Sequence, residues 1–229
     1  MLNLFDSQLK TYQRIREQSS PCMTRAAKDM PKDLLFQAAK DLKLLGRDGK
    51  TFVLDEEQEF DFILDRAIHD IPWPKKRWAE QIHERSQNEA DKTIFQAHLA
   101  PIFSLYEVLE TIAGRGARLI DLFRGGEVFV MDVGLGSTSH PGMLLATRII
   151  VIEDIPHTSG VSMPFEARER KNLLGNFEFL KEIKGNLMGW DALMRKYCPY
   201  FFHEYKKGGK MVELGTVSEN LIRLSVSDE

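Results

Sequence analysis

The 229-residue sequence has little cysteine, no long apolar run and no excess of charge of one sign. Its two cysteines, Cys22 and Cys198, are too few for a disulfide framework or a cysteine-rich zinc site, and this usage suits a reducing compartment. The longest apolar stretch, MLLATRIIVI at 143–152, falls well short of the roughly 20 residues that span a bilayer and contains Arg148, which excludes a spanning helix. The opening MLNLFDSQLKTYQRIREQ scatters acids and bases through its length and does not read as a signal peptide, so the cytoplasm is expected. With 31 basic and 34 acidic side chains, the net charge of -3 supplies no global field toward nucleic acid or anionic lipid. Internal repeats and low-complexity tracts are absent from the sequence.

What is present is enough apolar material, 43% of residues, to build a sizeable core. The first hundred residues carry helical periodicity. Leu4, Leu9, Tyr12 and Ile15 predict a helix over 6–18 that SSPCM then breaks. Pro31 begins a second, with Leu34, Leu35, Ala38, Ala39, Leu42 and Leu45 as its stripe and Gly46 as its left-handed stop. A short strand is expected near 51–54, followed by a helix capped by Asp55 and one or two more before Pro101.

From Pro101 the period changes toward 2, and the segments 104–113, 117–123, 127–133, 143–153 and 158–164 read as five short antiparallel strands. Helix returns after 166 in NFEFLKEIKGNL and DALMRKYCPYFFHEYKK, split at Gly189 and broken at Pro199, and MVELGTVSENLIRLSVSDE adds a hairpin or frays. The expected fold is α+β: a helical region 1–100, a β unit 101–165 and C-terminal helices and tail 166–229. The links at Pro101 and Pro164 are too short for flexible tethers, so one compact domain is expected.

The stretch DVGLGSTSHPG looks at first like a phosphate loop or an activated nucleophile. It lacks the lysine of a Walker loop, and neither Ser137 nor Ser139 has glycines at the offsets of a nucleophile elbow. It therefore reads as a turn between strands, with Gly134 and Gly136 at positive φ, hydroxyls bonded to their own backbone, and exposed side chains. His140 and His157 stand at opposite ends of one strand, roughly 30 Å apart at about 3.3 Å per residue, and should not converge. His69, His83, His98 and His203 have no histidine at i+3 or i+4, and each reads as a surface or half-buried residue. No clustered spacing holds a metal, and neither metal nor cofactor is expected.

Asp132 and Arg148 interrupt apolar strands and could pair across a hairpin, with Glu127 as the second choice of partner for Arg148. Asp132, Ser139, His140 and Arg148 are therefore the candidate binding residues, and no catalytic set is assigned. The aromatic run YCPYFFHEY lies in a locally basic segment, but Phe201, Phe202 and Tyr205 have the spacing of a packed face, which disfavours nucleic acid.

With these residues in hand, the middle of the chain resembles a group of uncharacterised bacterial proteins, some of which carry a C-terminal SEC-C motif. The likeness rests on Asp121 and Leu122, Glu127, Ser139, Pro141 and Gly142, Ala146 and Arg148, and Ser159 with Gly160, and more faintly on 38–68. It implies a family rather than an activity. The zinc ligands of a SEC-C motif are absent, so no zinc-dependent docking carries over. Three functions remain open: a non-enzymatic binding or adaptor protein that meets a protein or peptide, an enzyme with a site around 132–148, and nucleic-acid binding through the C-terminal helices. The oligomeric state is not readable from the sequence.

Overall fold

The structure, a computed structural model, describes residues 2–184 and 188–208, which form two compact units, one up to Ala100 and one from Pro101 onward. The first unit is helical: α1 (Leu2–Lys28), α2 (Lys32–Asp41), α3 (Glu59–His69), α4 (Trp78–Arg85) and α5 (Glu89–Ala97). Helix α1 runs well past the expected break at 18. Its buried stripe Tyr12, Ile15, Ser19, Cys22 and Ala26 continues at intervals of three and four through SSPCM, and Pro21 lies on the exposed side. Packing of that stripe outweighs the lost backbone bond.

Three local expectations in this unit are corrected. Helix α2 stops where Lys43 takes the left-handed conformation (φ 59°), before Gly46 is reached. The piece at 51–54 makes only an isolated bridge, Leu45 to Phe52. Asp55 does not cap α3; its N–H instead donates to the Glu59 carboxylate at 2.8 Å, because α3 begins at Glu59.

The second unit is built on β1 (Ile102–Ile112), β2 (Gly116–Asp121), β3 (Glu127–Met131), β4 (Leu144–Ile152) and β5 (Ile155–Phe165), antiparallel in the order β3-β2-β1-β4-β5. The strands match those expected to within a few residues. Strand β1 is central because it is long enough to pair with two neighbours, Tyr106 facing Asp121 on one side and Leu145 on the other. The sheet curls until its edge strands β3 and β5 lie side by side, enclosing Tyr106, Val108, Ala117, Leu119, Val130, Leu135, Leu145 and Ile149. Alternate residues of each strand point into this core, which is why the segments read with period 2.

Between β3 and β4 the chain forms a short helix, α6 (Val133–Thr138), where the sequence suggested a turn. Its glycines are helical, not at positive φ; Gly142 supplies the positive φ (85°) at the return to β4. Gly136 is needed for closeness. A Cβ there would lie 2.6 Å from the Ile112 carbonyl oxygen and 2.7 Å from the Gly116 nitrogen. A central β1 paired to β2 and β4, edges β3 and β5 brought together, and a helix between β3 and β4 give the connectivity of the five-stranded barrels that bind oligonucleotides and oligosaccharides.

Helices α7 (Arg170–Lys184) and α8 (Trp190–Lys207) follow, α8 packing on β1 and β5 through Phe103–Phe201 and Phe165–Tyr205 ring contacts of 5.8 and 6.3 Å. Pro199 does not break α8. The Cys198 thiol reaches the Arg195 carbonyl at 3.7 Å, the group that Pro199 cannot serve. Phe201, Phe202 and Tyr205 are buried, so the aromatic run is core. The segment MVELGTVSENLIRLSVSDE lies outside the described residues. Among those described, no helix is long and apolar enough to cross a membrane.

The glycine contact makes a prediction. Gly136→Ala is expected to cost about 1–3 kcal/mol through overpacking. Gly134→Ala, whose Cβ would meet nothing closer than 3.4 Å, should be neutral or up to about 1 kcal/mol stabilising. Denaturant unfolding of the two variants checks this, and equal costs would contradict the backbone contact.

Candidate functional site

Strand β3 delivers Asp132 to the start of α6 in an extended conformation, where its Oδ1 accepts the Leu135 N–H at 2.9 Å. The other carboxylate oxygen accepts the hydroxyl of Thr158 on β5. One side chain thus caps α6 and ties the two edge strands together. The hydroxyls that follow each donate four residues back: Ser137 to Val133, Thr138 to Gly134 and Ser139 to Leu135, at 3.0, 2.9 and 2.6 Å. His140 is exposed, one ring nitrogen 3.2 Å from the Pro141 carbonyl. The turn is then closed by Gly142 N–H to Val108 O at 2.8 Å.

Arg148 belongs to a different surface. It pairs with Phe103 across β1 and β4, its guanidinium lies 5.4 Å from that ring's centre, and it is 1% exposed. Asp132 faces Leu135 and Thr158, and Glu127 faces Arg118 at 3.1 Å, so the hairpin pairing suggested by the sequence is replaced by these contacts. The structure brings Asp132, Ser139 and His140 together on one short segment and sets Arg148 apart.

A second polar cluster went unrecognised in the sequence. Buried Asp121 accepts from Ser104 Oγ at 2.7 Å and from the N–H groups of Phe123 and Arg124 at 2.9 and 3.0 Å, and pairs with the Arg124 guanidinium at 3.3 Å. Arg124 extends to Asp191 at the start of α8, 2.8 Å away. Burial, then the Asp121 charge, holds the Tyr106 phenol well above its usual range, against the opposing pull of Arg124 and Arg148. A phenol so held neither gives up its proton nor acts as a base near neutrality. Ser104 and Asp121 were within reach of a sequence reading, since each interrupts an apolar strand; the turn N–H donors that saturate Asp121 were not.

In the helical unit, the Cys22 thiol donates to Asp91 at 2.9 Å, and burial first, then that hydrogen bond, pushes it up to about 11, which keeps it protonated and unreactive. Neither cysteine is in a disulfide. His69 and His98, 29 residues apart and each unremarkable alone, are hydrogen-bonded to one another. Among the described residues no group of three or more His, Cys, Asp or Glu is arranged to hold a metal ion.

Residues 6–214 match a family of unknown function, DUF7986. The chain belongs to that family. No curated protein and no solved structure matches it. For this member of DUF7986, then, what can be said of activity comes from its own side chains, and in the barrel the acids and hydroxyls of the candidate segment are engaged in holding α6 and the strand ends.

Asp61, on the first turn of α3, offers a titration test. Burial, then the Asp65 carboxylate one turn on, pushes it up to about 6. Because the folded value lies above the unfolded one, the penalty on the charged form is absent at low pH and fully developed above pH 6. Asp61→Asn is therefore expected to stabilise the fold by about 1–3 kcal/mol at pH 7.5, a gain that shrinks below pH 6 and vanishes near pH 4. Unfolding midpoints of both proteins across that range check it; a gain independent of pH would contradict it.

Proposed function

We propose that the chain is a non-enzymatic cytoplasmic binding protein that meets a protein partner through the outer face of β2 and β3. One observation carries the reading. Helix α8 packs on β5 and on β1 at Phe103, whereas Arg118 of β2 pairs with Glu110, near the far end of β1, and with Glu127 of β3, both at 3.1 Å, all three half-exposed beside the partly buried Ile120 and Phe129. Charges of both signs around apolar side chains are the composition of a protein-binding surface rim and core. A phosphate backbone would meet two carboxylates for one guanidinium there, which disfavours nucleic acid in spite of the barrel's connectivity. The engagement of Asp132 and Ser139 in structural hydrogen bonds supports the absence of chemistry at 132–148.

The test reverses charge on the face. Glu110→Lys with Glu127→Lys replaces exposed pairs worth about 0–1 kcal/mol, so the fold should persist. Immobilised wild-type protein should retain a stoichiometric protein partner from its own cell extract that the double variant loses. Retention of the same partner by the variant, or salt-sensitive binding of single-stranded DNA by the wild type, would contradict the proposal.

A further inference from the structure

His69, on the last turn of α3, and His98, at the end of α5, are 1% and 5% exposed. Their rings lie 13° from parallel with centroids 5.2 Å apart, and His69 Nε2 is 2.9 Å from His98 Nδ1. His69 Nδ1 is 2.9 Å from the Asp65 carbonyl oxygen and 3.3 Å from the Asp65 carboxylate. A carbonyl only accepts, so His69 Nδ1 carries a proton. The Nε2···Nδ1 bond holds one proton between two nitrogens. The four ring nitrogens therefore carry at most three protons while the bond exists: the neutral pair plus one.

We propose that His69 and His98 form a one-proton switch that locks α5 against α3 when the pair is neutral or singly charged and releases it when both rings are charged. The Asp65 carboxylate lies beside His69 Nδ1, the nitrogen that already carries a proton. A second extra proton has no place in the hydrogen bond and sets two imidazolium rings side by side in a buried site. The surrounding charges sharpen this difference. On α3 Arg66 follows Asp65, and it is held by Asp41 of α2 at 2.6 Å and lies 3.6 Å from Asp70. Arg77, paired with Glu80 of α4 at 3.0 Å, donates to the carbonyls of His69 and Leu99 at 3.4 and 2.8 Å, so a cation already bridges the two histidine segments. On α5, Asp91 is engaged by Arg25 of α1 at 2.7 Å. Asp61 stands two turns before His69 and takes up its own proton over the same range.

The sign follows from proton counting. Well below the ordinary histidine value of about 6.5 the unfolded chain binds two extra protons on these rings and the intact pair at most one, so stability is present at higher pH and lost as pH falls. The unfolding constant then rises about tenfold per pH unit from this pair alone. Asp61 contributes in the opposite direction, so the measured quantity is a difference between proteins that share it.

The experiment compares wild type with His98→Asn, whose amide keeps a donor near the Nδ1 position and can rotate its oxygen toward a protonated His69. Between pH 5.5 and 4.5 the wild-type unfolding constant should rise by about one more factor of ten per pH unit than that of the variant. Equal slopes would overturn the proposal. Ring nitrogen NMR of the wild-type full chain gives a second reading that needs no variant: the folded protein should never show both rings doubly protonated, and a folded state with four ring N–H groups at acid pH would overturn it.

Discussion

The barrel depends on one short-range constraint, the seating of α6 on the β1–β2 hairpin. Gly136 brings helix backbone against the Ile112 carbonyl and Gly116, and Gly116 in turn admits the Val130 carbonyl to a spot where a Cβ would lie 1.9 Å from it. Because three backbone segments meet there without side chains between them, β3 is delivered at the angle that lets it reach β5. Asp132 then fixes the junction, capping α6 and accepting from Thr158. Leu135, the buried apolar side chain of α6, completes the interior core.

This constraint explains what a segment with the residue types of an active site does in the fold. Ser137 and Thr138 in α6 and Ser139 just after it each donate to the carbonyl four residues back, and the Asp132 carboxylate accepts the Leu135 N–H at the other end. Asp121 does the same for the turn between β2 and β3, with Arg124 tying that turn to α8. Asp121 and Asp132 thus serve the ends of elements, and the outer side of β2 and β3 carries a half-exposed surface of mixed charge.

The strands were legible because apolar, β-branched runs are punctuated by glycines, and this gave the five segments nearly in place. The helix α6 was not legible: two glycines and three hydroxyls are a turn's composition, and its helicity comes from a cap and a tertiary seat that local pattern does not contain. Pro21 and Pro199 misled for the opposite reason, since one sits on an exposed face and the other beside a thiol that serves the vacated carbonyl. The sequence placed Asp132 opposite Arg148 because both interrupt neighbouring apolar strands. Its actual partner, Thr158, is 26 residues away across the barrel closure. The His69–His98 pair joins the ends of two helices at a separation that no metal or catalytic spacing rule addresses.

Asp132 ties α6 to β5, and a double-mutant cycle with Thr158 measures that tie. Asp132→Ala and Thr158→Val should each destabilise by about 1–3 kcal/mol, from the lost cap and the unsatisfied buried partner. The double variant should fall short of their sum by at least about 0.5 kcal/mol, as coupled contacts do. Single variants that leave stability unchanged, or costs that simply add, would contradict the account and leave the Asp132 carboxylate available for chemistry.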